Sequence, residues 1–197
     1  ISPNGANIGN NDFLISDVGF HRSDLTAPGD IGYATVLKGI AYNSISNEYL
    51  VVWNGDAAID GNFEIFGQRL DAAANEIGAT DFKISDMESS DALAFWANSP
   101  DVAYSSFDRV YLVVWQGDDE VDGDFEIFGQ VLDSAGNEIS IDFQISHMGP
   151  DGNASYEASD PSVVYNWVTN EFLVTWLGRD DIGVETLRVY GQRLDTT

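Results

Sequence analysis

Between Asp118 and Glu126 the chain packs six carboxylates into nine residues: Asp118, Asp119, Glu120, Asp122, Asp124 and Glu126. So many like charges at such spacing repel one another unless a cation sits among them. Ca²⁺, which takes six to eight hard oxygen ligands in a flexible cage, is the expected occupant. A second cluster, Asp56, Asp60, Asn62 and Glu64, repeats the pattern, and Asp‑Gly‑Asp at 122 to 124 matches Asp‑Gly‑Asn at 60 to 62. Glycine there permits the turn that aims neighbouring oxygens inward, although the twelve-residue spacing of an EF-hand is absent. A third cluster, Asp180, Asp181 and Glu185, carries its own counter-charge in Arg179 and Arg188. The alternative for all three is an acidic hairpin tip facing water.

Aromatic residues accompany the acids. Phe95, Trp96 and Tyr156 lie in long connections between repeats, as do Phe20 and Tyr33. An aromatic face beside carboxylates and amides suits a sugar ring, which stacks on the one and hydrogen-bonds to the other. The competing role is to plug the loops against the ends of the strands. Catalysis has no comparable signature. The two histidines, His21 and His147, stand at non-equivalent positions with no nucleophile beside them, and the Ser‑x‑Asp‑x‑Gly‑x‑x‑Trp box of sialidase propellers is missing. The expectation is a protein that is not an enzyme.

The elements that position these residues come in three copies. IAYN…EYLVVW…FEIFGQRLD at 40 to 71 recurs as VAYS…VYLVVW…FEIFGQVLD at 102 to 133 and VVYN…EFLVTW…LRVYGQRLD at 163 to 195. A period of about 60 residues marks stacked supersecondary units, none of which buries its apolar face alone. The three conserved-register segments of each unit are rich in β-branched and aromatic residues and are separated by Asn, Asp, Gly and Ser, which reads as strands. A fourth strand is DFxIS: DFLIS at 12 to 16, DFKIS at 81 to 85 and DFQIS at 142 to 146. Asp71 and Asp133 precede it and can form its hairpin by accepting backbone amides two residues on. Trp53, Trp115 and Trp176 close the second strands and are assigned to packing between units. No window carries apolar residues at helical spacing, so the chain is all-β.

Strands alternate direction in a four-stranded meander, so the connection from strand two to three and the connection to the next unit emerge at one end. That end collects the acidic clusters and the long loops at 17 to 39, 86 to 101 and 147 to 162, and is the expected functional surface.

The repeats run out of phase with the ends of the sequence. Residues 1 to 16 read as a fourth strand without its first three, and residues 189 to 195 as a third strand without its fourth, followed by the units 17–85, 86–146 and 147–197 of one domain. The pattern resembles bacterial extracellular β-propeller repeats of the form P‑x‑V‑A‑Y‑N…Y‑L‑V‑V‑W…E‑I‑F‑G‑Q‑R‑L‑D…D‑F‑x‑I‑S. Val51‑Val52‑Trp53, Val113‑Val114‑Trp115 and the Gly‑Gln pairs 67/68, 129/130 and 191/192 carry the likeness. It implies three four-stranded antiparallel propeller-like blades with out-of-phase terminal strands, in an extracellular or cell-surface protein. Propellers have four to eight blades, so three leave open a six-bladed ring of two chains, an open chain of molecules, or a β-trefoil. Strand complementation through Phe13, Ile15, Val189, Gln192 and Leu194 would make the partner a second copy, in a ring or fibre. The function expected on this basis is a calcium-braced, non-catalytic structural module, with a lectin-like or adhesive propeller as the alternative.

Composition sets the outer limits. Thirty-three acidic against eight basic side chains give 8 − 33 = −25, which repels nucleic acids and anionic membrane surfaces. A hydrophobic content of 44% argues for a folded chain. There is no cysteine and no apolar run of membrane-spanning length. A first residue of Ile rather than Met suggests a processed or excised segment.

Overall fold

Each repeat folds into one antiparallel sheet. The computed structural model describes residues 12–16, 37–56, 63–87, 96–118, 123–150, 152–180, 183 and 186–196. The first sheet is ordered β1 (Leu37–Asn43), β2 (Glu48–Asp56), β3 (Phe63–Leu70), β4 (Glu76–Lys83); the second β5 (Ala97–Ser105), β6 (Val110–Gly117), β7 (Glu126–Asp133), β8 (Phe143–Gln144). The third holds β9 (Glu157–Asn166), β10 (Glu171–Arg179) and β11 (Arg188–Asp195), with β10 central. The repeats pair in equivalent register: Trp53 faces Phe66, Trp115 faces Phe128 and Trp176 faces Tyr190. Adjacent blades meet at their first strands, β1 beside β5 and β5 beside β9, which makes these three the inner side of an arc.

The core lies between blades. Leu50, Val52, Ile65 and Ile84 of the first pack with Val113, Trp115, Phe128 and Leu132 of the second. Leu112, Val114, Ile127 and Ile145 of the second pack with Val163, Phe172, Val174 and Trp176 of the third. All three strand-ending tryptophans are buried. Ile84 and Ile145 are the isoleucines of DFxIS, each set into the apolar layer of the following blade. Ile15, from the first DFxIS copy, joins Val51, Trp53, Phe66 and Leu70 of the first blade in the same way. Residues 12–16 thus stand where a fourth strand of a preceding blade stands.

Asp71 and Asp133 do form the hairpins, each accepting a backbone amide two residues on at 2.8 Å, Ala73 and Ala135 respectively. The inner strands differ from the sequence reading. β5 and β9 begin five to six residues before VAYS and VVYN, running through Ser99‑Pro100‑Asp101 and Asp160‑Pro161‑Ser162. Both cross a register shift there, with Ser99 at φ 53° and Asp160 at φ 50°. Proline masks a strand in sequence, yet an edge strand with a bulge accommodates it.

Candidate functional site

The acidic residues of the long-loop end divide into two kinds. Glu64 and Glu126 open β3 and β7 and are buried. Ser146 Oγ donates to Glu126 and accepts the Ile127 amide at 2.7 Å, and the Met148 amide donates to the same carboxylate at 2.7 Å. The first blade repeats this: Ser85 donates to Glu64 and accepts the Ile65 amide at 2.8 Å, and the Met87 amide reaches Glu64 at 3.2 Å. Burial pushes the Glu126 carboxyl above its usual range, against the pull of Ser146 and the Met148 amide. These clamps fix the point from which each connection departs for the next blade. In the third blade Arg188 occupies the corresponding position and pairs with Asp180 at 3.2 Å.

Asp118 and Asp124 organise loops. Asp118 is buried and accepts the Trp96 amide at 2.7 Å and the Gly123 amide at 2.9 Å, joining the entry to β5 to the connection between β6 and β7. Asp124 accepts the Gly152 amide at 2.6 Å. Arg179 holds the same place in the third blade as Asp118 in the second and pairs with Glu157 at 2.9 Å. Among the described residues no group of three or more His, Asp or Glu is arranged to hold a metal ion. Asp60, Asn62, Asp119, Glu120, Asp122 and Phe95, and the side chain of Asp56, lie outside the described residues, as do Phe20, His21 and Tyr33.

The two described loop aromatics have different fates. Trp96, fixed through its amide by Asp118, keeps 42% of its surface exposed and sets its ring edge-on to Phe63 at 6.0 Å. Tyr156 is half-buried, lies over Gly149 where no Cβ would fit, and packs on the core between the second and third blades. His147 is exposed. The inner wall adds a feature the sequence reading missed. Asp101 Oδ2 accepts from Ser162 Oγ at 3.0 Å and from the Val163 amide at 2.9 Å, tying the second blade to the third beside both bulges. The Pro‑Asp and Asp‑Pro pairs were its only trace in sequence. At the chain's other candidate positions, Val189 and Gln192 are exposed, Phe13 is exposed, and Leu194 and Ile15 are half-buried.

An arc of antiparallel blades with bulged inner strands defines a β-propeller-type chain. Comparison with solved structures agrees. A thermostable family-43 glycoside hydrolase superposes with a TM-score of 0.53 at 14% identity, over 83% of this chain and 55% of that one. The Hadza microbial sialidase gives 0.54 at 10% identity, over 82% and 39%. The α-L-arabinofuranosidase from Lactobacillus brevis gives 0.52 at 10%, over 83% and 53%. At these identities the likeness is one of fold, and the chain spans about half the length of the family-43 hydrolase. No family model and no curated protein matches the chain.

These neighbours overturn two expectations, the non-catalytic self-assembling module and the exclusion of an enzyme, because structures of this fold include sugar-cleaving enzymes. The structure adds a physical reason against strand exchange as the function. Arg188 replaces the glutamate that a DFxIS serine engages elsewhere.

Proposed function

We propose that the chain is a carbohydrate-binding β-propeller module of the carbohydrate-active type, with its sugar contact on the long-loop end. The observation that carries this reading is Trp96: an indole left 42% exposed at the inner-strand entry, with its backbone locked by buried Asp118. A ring held so stacks on a sugar face at little cost in side-chain entropy. The arabinofuranosidase and the sialidase suggest two classes of ligand, and charge chooses between them. A chain of net charge −25 repels sialosides and uronates and favours neutral sugars such as arabinosides. The resemblance to extracellular bacterial repeats supports a place outside the cell, where such polymers occur.

Titration calorimetry with neutral arabino-oligosaccharides and with sialyl-oligosaccharides tests this, alongside a reducing-sugar assay for cleavage. Binding of the neutral series alone, lost by about ten-fold in Trp96→Ala, is the expected result. Equal binding by Trp96→Ala, or preference for sialosides, defeats the proposal.

A further inference from the structure

At the opposite end of the blades, the hairpins joining first to second strands expose apolar residues at equivalent places. Ile45, Phe107 and Val168 are 54%, 76% and 71% exposed, and Trp167, beside Val168, is 79% exposed. Soluble proteins scatter single apolar residues over their surfaces, but the same turn position exposed in all three blades is a pattern.

These tips are rigid. Asn43 Oδ1 accepts the amides of Ile45 and Ser46 at 3.0 Å, and Asn166 Oδ1 accepts that of Val168 at 3.0 Å. The Asp108 amide donates to Ser105 at 3.2 Å. Tyr42 and Tyr165 donate to Asn47 and Asn170 at 2.7 and 2.6 Å. Asn170 Nδ2 donates to Asp108 at 2.8 Å, which fixes the third-blade tip against the second. Folding gains nothing from leaving an indole and a phenyl ring in water on clamped turns, whereas a ligand that stacks on them meets a turn backbone already held in place.

We propose that Phe107 and Trp167 form a second sugar-contacting platform, which takes a neutral polysaccharide strand running from blade to blade. This rests on the reading of the chain as carbohydrate-binding and extends it to a separate face. A polymer of repeating rings matches apolar tips repeated once per blade, and the Asp108 carboxylate, which links the second tip to the third through Asn170, can accept a sugar hydroxyl at the rim. The net charge of −25 opposes an anionic polymer or anionic bilayer, and likewise a second copy of the chain. Trp96 precedes β5 and Phe107 follows it, so the length of the strand separates the two faces.

The test is affinity electrophoresis through gels containing arabinan, neutral galactan or glucan, with wild type, Phe107→Ser/Trp167→Ser and Trp96→Ala, each checked for an unchanged melting temperature. The tip variant is expected to lose retardation by the polymer about ten-fold or more while binding short oligosaccharides as wild type does. Loss of polymer retardation in the tip variant supports the platform whatever Trp96→Ala does, so the two faces succeed or fail separately. Retardation of the tip variant equal to wild type overturns the platform, as does a wild type that no neutral polymer retards. Sedimentation showing a wild-type dimer that the tip variant cannot form, or wild-type flotation with phosphatidylcholine vesicles that it loses, also overturns it and assigns the tips to a second copy or a bilayer.

Discussion

The hydroxyl of Ser146 donates to the carboxylate of Glu126 while it accepts the backbone amide that follows that glutamate. Ser85 and Glu64 make the same closed arrangement one blade earlier. The serine ends DFxIS and the glutamate opens the strand it pairs with, so a single side-chain contact fastens the fourth strand's exit to the third strand's entry.

Ser146→Ala leaves a buried carboxylate and a buried amide each short of a partner, and should cost about 2–3 kcal/mol. Glu126→Gln keeps a carbonyl oxygen for one of the two donors and leaves no charge to bury, and should cost less. Urea denaturation of the two variants checks the order. A Ser146→Ala loss below that of Glu126→Gln would assign the stability to the Met148 amide contact instead.

Trp115 is fully buried between the first two blades and Trp96 is 42% exposed. Trp115→Ala should cost about 3–5 kcal/mol as a cavity in a packed core, and Trp96→Ala much less. Thermal melts decide it: similar losses would mean that Trp96 supports the fold rather than a ligand.

Asp142 supplies a pH dependence of stability. Burial, then the charges of Glu138 and Asp86, push its carboxyl from 3.8 up to about 6, against the Asp86 amide and Lys83. Between these values the folded chain holds a proton that the unfolded chain has released, so stability falls as pH rises through that window. The size is at most about 3 kcal/mol at 1.36 kcal/mol per unit, reduced by solvent screening. Asp142→Asn should flatten the dependence between pH 4 and 6 and raise stability at pH 7. Parallel curves for variant and wild type in urea titrations would show that Asp142 ionises freely.

The repeat, the strands and the buried tryptophans were legible in the sequence because each rests on a local pattern written three times. YLVVW is a continuous apolar run rather than an alternating one, and the strand it forms is buried on both faces, as a strand packed between neighbouring blades must be. The contacts of Glu64 and Glu126 were hidden for the converse reason. Their charge placed them with the acidic loops, but what they do depends on Ser85 and Ser146, about twenty residues away in sequence and adjacent only after the hairpin closes. The bulges of β5 and β9 were hidden by Pro100 and Pro161, and the exposure of Phe107 and Trp167 emerges only once the hairpins that carry them have closed. The likeness to sugar-cleaving enzymes was beyond reach, since at 10% to 14% identity it lies in the fold and in no run of residues.

Gly129 and Gly191 occupy the same position in the second and third blades, and the structure expects them to respond differently to alanine. A Cβ on Gly129 would lie 3.0 Å from Ile145 Cδ1, 3.2 Å from Phe143 and 3.4 Å from Leu112, all members of the layer that the fourth strand completes. Gly67 is equally confined, with Ile84 Cδ1 at 2.9 Å. A Cβ on Gly191 would meet the Val174 carbonyl at 3.2 Å and Thr175 at 3.4 Å, and among the described residues no fourth-strand isoleucine or phenylalanine comes as near. In the first two blades the glycine of the Gly‑Gln pair is therefore small because the fourth strand's side chains lie over it. Gly129→Ala should overpack the blade and cost about 1–3 kcal/mol, and Gly191→Ala less than half of that. Denaturation midpoints of the two variants, measured side by side, give the answer. Equal losses would show that the glycine serves the third strand's own backbone, and that the fourth strand is not what dictates it.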